Sequence, residues 1–183
     1  MFKSLSLQKN KLMMLVLATL LTLAMVVLPG MNVVKAATPV TVKVSFCEDG
    51  VPIDSSLEDM SVTVDDTAAV LAPLPANYPN SGTPTAFDAT ISAYYDAMGS
   101  QSLDGMTYGY DSVGTGYYVN EFFYTPMSEV ESYYSGTPGQ SYWHGYSWVL
   151  YINGSESNLY ASNVVLDDDD TIVWDYKYVE TTW

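Results

Sequence analysis

The sequence predicts an α+β fold, a mixed β-sheet with one amphipathic helix packed on a single face. Apolar residues alternate with period two near both ends of the chain, in "VTVKVSF" and "TIVWDYKYV". A single stretch, 84–98, carries apolar residues at helical spacing instead. The segments between are broken by Gly, Pro, Asn and Asp turn signals.

Taken in order, "TPVTVKVSF" (38–46) places Val40, Val42, Val44 and Phe46 on one face of a half-buried strand. The chain turns at Asp49-Gly50, and "MSVTVDD" repeats the alternation with Val62 and Val64, as the hairpin partner of the first strand. Residues 66–83 contain Pro73, Pro75, Pro79 and Gly82 and read as a long surface loop. The helix follows. Thr83 is the expected cap and Pro84 the first helical residue, where a missing N–H costs nothing. Phe87, Ile91, Tyr94 and Met98 form its apolar stripe, and Gly99 supplies the left-handed stop. "MTYGYDSVGTGYYVNEFFY" then offers a short strand, a Gly-rich turn and a strand near Tyr117 to Phe123. Residues 125–140 read as a polar loop with a helical turn at Met127 to Tyr134. "SWVLYIN" and "TIVWDYKYV" are the closing strands, with turns at Asn153-Gly154 and Asp167 to Asp170.

The amino end decides where the protein is expected to act. Lys3, Lys9 and Lys11 precede an apolar run from Leu12 to Leu28, and Val34 and Ala36 supply small residues for a cut. This is the pattern of a secretory signal peptide over residues 1–36, leaving 37–183 as one extracellular domain. An uncleaved anchor is the alternative reading, though its apolar run is shorter than the ~20 residues that span a bilayer comfortably.

Beyond residue 36, Lys43 and Lys177 stand against 21 acidic residues, a formal charge of −19, and arginine is absent. Nucleic-acid binding requires cations that displace phosphate counterions, so that class is excluded, and anionic lipid surfaces with it. Cys47 is the single cysteine, so no internal disulfide forms. It either pairs with a partner or ends a strand as a small, partly buried residue.

The carboxyl-terminal third, "SWVLYINGSESNLYASNVVLDDDDTIVWDY", resembles the transcobalamin-like C-terminal domain family. Trp148, the Asn153-Gly154 turn, the acidic turn at Asp168 to Asp170, and Trp174-x-Tyr176 carry the likeness. "GYYVNEFF" (116–123) is similar to the segment that precedes this motif, and the helix at 84–98 corresponds to the family's single helix. Ser147 stands where the family has glycine, and Asp169 replaces its turn glycine. The resemblance implies a β-grasp-like fold and makes a corrinoid a conceivable ligand, held with a second protein or in a dimer.

One histidine and one cysteine in separate regions leave little for nucleophilic catalysis, so no catalytic residue is assigned. The "DDDD" turn invites calcium, but it lacks an EF-hand pattern and reads as a solvated hairpin turn; no metal or cofactor is assigned. Trp148, Trp174 and Tyr176 are expected in the core. "SYWHGY" reads as a loop ahead of the strand, either a contact surface or a flap over a sheet edge. Tyr142, Trp143, His144 and Tyr146 are therefore the candidate ligand contacts, with Tyr117 from the neighbouring strand. The expected function is a non-catalytic binding module for a corrinoid or other small ligand. The alternative is a cell-surface module meeting protein or glycan through the same rings.

Overall fold

A computed structural model of the chain describes residues 38–65, 83–113 and 115–183. The predicted signal peptide and all of the proline-rich loop but Thr83 lie outside the described residues. Among the described residues, no helix is long and apolar enough to cross a membrane.

The predicted α+β architecture is present. Strand β1 (Val40–Glu48) runs parallel to β10 (Thr171–Thr182), with Val44 opposite Ile172 and Phe46 opposite Trp174. Each belongs to an antiparallel pair. β3 (Met60–Val64) flanks β1, and β8 (Tyr142–Ile152) flanks β10. Two hairpin-like pairs joined through a central parallel pair make the sheet mixed and β-grasp-like, because the crossover between them carries the helix. β7 (Ser128–Tyr133) adds an outer strand on β8, while β2 (Val51–Pro52) and β9 (Ser155–Glu156) extend the hairpin turns.

The helix α1 (Ala86–Met98) covers one face of this sheet. Its Phe87, Ile91 and Tyr94 are buried against Val42, Val44, Phe46, Ile172 and Trp174, as the stripe predicts; Met98 is half-buried. Burying a side chain of this size contributes about 1.5–3 kcal/mol. A hydrogen bond fixes the helix over β10, with Trp174 Nε1 donating to Thr90 Oγ1 at 2.8 Å. The stop is Gly99 in the left-handed conformation (φ 64°), as expected.

Three expectations are corrected. The helix cap is Thr85, two residues later than Thr83, and Pro84 lies outside the helix. The reason is a capping box: the Asp88 amide donates to Thr85 Oγ1, and the Asp88 carboxylate accepts from the Thr85 amide at 2.9 Å. Second, the strands do not form one sheet. β4 (Thr107–Asp111), β5 (Gly116–Phe122) and β6 (Thr125–Pro126) make a separate antiparallel sheet. It packs beside the helix through Phe122, whose ring meets Phe46, Trp148 and Trp174 at 4.9, 5.0 and 5.2 Å. Third, 125–140 holds no helical turn, because Ser128–Tyr133 pairs with β8 as an edge strand.

Candidate functional site

"SYWHGY" is strand, not loop. β8 begins at Tyr142 and runs unbroken to Ile152, paired on one side with β10 and on the other with β7. Gly145 made this segment read as irregular, yet its role is close packing. A side chain there would collide with the Ser128 carbonyl and the Trp143 ring. The glycine lets the bulged β7, whose register shifts between Glu129 and Glu131, lie against β8.

Strand alternation therefore divides the candidate residues between two faces. Tyr142, His144 and Tyr146 share the helix-side face with Trp148, whereas Trp143 points the other way over Gly145. Their neighbours on β10 are Tyr176, Tyr178 and Glu180, opposite Trp148, Tyr146 and His144. β7 contributes Tyr133, opposite Tyr142.

Rings on this face form two touching groups. Tyr146 stacks on Tyr176 at 5.8 Å and meets Tyr178 edge-on at 5.5 Å, and Tyr176 contacts Trp148 at 5.2 Å. Further out, His144 lies 4.8 Å from Tyr142, which lies 5.9 Å from Tyr133. Exposure is uneven along the face, with Tyr142 and His144 half-buried although they lie further out than exposed Tyr146. Trp148 is 5% exposed, Tyr146 41%, Tyr178 42% and Tyr133 54%. The small sheet ends the cover. Thr125 and Pro126 of β6 accept hydrogen bonds from Trp148 Nε1 (2.9 Å) and the Tyr176 hydroxyl (3.0 Å). Beyond Tyr176, the described residues leave Tyr146 and Tyr178 of the β7–β8–β10 ribbon exposed.

Among the described residues, Glu131 and Glu180 are charged groups on the ring face of the ribbon. The Tyr142 hydroxyl donates to Glu131 at 2.8 Å, and that bond raises the phenol above its ordinary pKa. Tyr176 is raised chiefly by burial and then by the Glu48 charge. Both described lysines alternate with the opposite face. Lys43 pairs with Asp59 at 3.5 Å. Lys177 sits against the Tyr151 hydroxyl, within 3.5 Å of Glu156, and the tyrosine contact raises its pKa.

That opposite, helix-free face holds a concavity of about 370 Å³ lined by Ser45, Cys47, Glu58, Tyr151 and Asp175. Buried Asp175 accepts from the Gly50 amide at 2.8 Å. Cys47 is a buried free thiol, as the strand-end reading has it. Burial pushes its pKa up, and the Asp175 and Glu58 charges push further, so it is held protonated rather than activated.

Tyr117 does not join the ribbon. At 1% exposure it belongs to the core, its ring 5.5 Å from Phe87 and 4.9 Å from Tyr110. β5 turns that residue toward the helix, while Tyr118 points to solvent and rests near Tyr160. Two ribbon residues, Tyr133 and Tyr178, escaped sequence reasoning. The polar-loop reading hid Tyr133. Tyr178 shares the apolar parity of Ile172 and Trp174, which suggested burial. A length comparison exposes it, since 13 helical residues cover about 20 Å and the 12 residues of β10 span about 40 Å.

The motif residues do architectural work instead. Trp148 and Trp174 anchor the core. Asn153 Oδ1 accepts from the Thr171 amide at 2.9 Å, and its Nδ2 donates to Asp170 at 2.7 Å. Asp170 in turn accepts from the Asp167 amide, and Asp168 from the Thr41 amide. The acidic turn is thus pinned to two neighbouring strands through its carboxylates. Among the described residues, no group of three or more His, Cys, Asp or Glu is placed to hold a metal ion. Compared with protein-family models and with curated proteins, the chain matches none.

Proposed function

We propose that the protein is a non-catalytic binding module, exported by its amino-terminal signal, that takes its ligand on the open helix-side face of the β7–β8–β10 ribbon. One observation carries this reading: Tyr133, Tyr146 and Tyr178 stand about half exposed on one face, with Tyr146 and Tyr178 joined to the core through Tyr176 and Trp148. Rings held on a sheet keep little conformational freedom, so they offer apolar area and hydroxyl groups at small entropic cost on binding. As formed by the described residues, the face is a platform rather than a pocket. It favours an extended partner over an enclosed small molecule.

The family resemblance makes a corrinoid the competing ligand. A platform covers one side of such a ligand, so tight retention requires a second chain on the other side. Amide and aromatic NMR shifts, followed while cobinamide, a cell-wall glycan or a peptide is titrated in, test the site. Perturbations confined to Tyr133, Tyr142, His144, Tyr146 and Tyr178 support the reading. Perturbations centred on the Cys47–Asp175 concavity overturn it.

A further inference from the structure

The charge distribution narrows the partner further. Resting on the ribbon as the contact face, we infer that its ligand is a cationic, extended segment of a partner protein, whose arginine or lysine side chains lie across the tyrosines.

Both described lysines project from the helix-free face and are engaged there by Asp59, Tyr151 and Glu156. Among the described residues, the charged groups on the ring face are carboxylates. Glu131 holds the Tyr142 hydroxyl, and exposed Glu180 stands across from His144. Tyrosine faces beside carboxylates attract a guanidinium or ammonium twice over, through the ring quadrupole and through direct ion pairing. An anionic partner would meet repulsion from residues 37–183, whose formal charge is −19. The same repulsion disfavours a second copy. β7 also carries a bulge between two glutamates, with Val130 exposed, a device that turns a sheet edge away from strand pairing. The segment is therefore received on the face, not added at the edge.

The test titrates the full chain with a hexa-arginine peptide, an equal-length Gly-Ser peptide and a neutral cell-wall oligosaccharide. Wild type is compared with Y146S/Y178S, which leaves the charge unchanged, and with E131Q/E180Q. Both pairs change exposed side chains, and unchanged unfolding midpoints verify their folds. Saturable binding of hexa-arginine, weakened about tenfold or more in each double variant, supports the inference. Equal binding by wild type and Y146S/Y178S assigns the affinity to overall charge and overturns it. Ring-dependent binding of the oligosaccharide in place of hexa-arginine overturns the cationic partner while keeping the platform. No ring-dependent binding of any probe overturns the inference, and the NMR mapping then decides the platform separately.

Discussion

Replacing Asn153 with alanine probes the joint that holds the two carboxyl-terminal strands in register. Asn153 occupies the left-handed region (φ 51°) ahead of Gly154, and its side chain bridges Thr171 and Asp170 at 2.9 and 2.7 Å. Alanine loses both bonds, worth about 1 kcal/mol each at an exposed site. It also tolerates the left-handed backbone less well than asparagine, whose side chain hydrogen-bonds locally, adding up to about 1 kcal/mol. The expected loss for N153A is about 2–3 kcal/mol. With a urea m-value of about 1–3 kcal/mol per M, the midpoint followed by tryptophan fluorescence falls by about 0.7–3 M. N153D separates the contributions. It keeps the acceptor for the Thr171 amide and the turn tolerance, but sets a second carboxylate against Asp170. Salt screens that repulsion, so the N153D penalty shrinks as ionic strength rises, whereas the N153A penalty does not. An unfolding free energy for N153A within about 0.5 kcal/mol of the parent, or an N153D penalty indifferent to salt, refutes the pinning of the acidic turn by Asn153.

Trp174→Phe removes the indole donor to Thr90 and leaves a void under the helix, so unfolding free energy falls by about 2–4 kcal/mol in chemical denaturation. Gly145→Ala forces β7 away from β8. Hydrogen-exchange protection is expected to drop at the β7–β8 pairs while the β1–β10 pairs keep theirs. Cys47 stays unmodified by a thiol reagent in the native protein at neutral pH and reacts at the rate of unfolding; rapid labelling refutes its burial as a protonated thiol. Burial raises Tyr94, Tyr95, Tyr108, Tyr117 and Tyr176 above the ordinary phenol pKa, so the folded state binds their protons more tightly than the unfolded state. Their contribution is complete below about pH 10 and is lost as pH rises through the raised values. Tyrosinate absorbance is expected to show a late-titrating class that ionises together with alkaline unfolding.

The sequence by itself determined the elements whose signals are local. Alternation fixed which residues of β1, β3 and β10 face the helix. The Phe87–Ile91–Tyr94 stripe and Gly99 fixed the helix and its end, and Asp49-Gly50 and Asn153-Gly154 fixed two turns. Even the Thr85–Asp88 cap was legible as Thr-x-x-Asp, had it been preferred to Thr83-Pro84. Only the tertiary structure decided the site. Gly145 reads as a loop residue until the chain that packs over it is known, because a strand glycine and a turn glycine look alike in isolation. β7 has no buried face, so the alternation that marks a strand by half-burial is missing, and only pairing with β8 makes it one. Whether a tyrosine on the apolar parity is core or platform depends on where the cover stops. Trp174 and Tyr178 share one strand and one face, yet one lies under α1 and the other beyond Thr125 and Pro126. Parity along a strand is a local property; the reach of the layer packed against it is not.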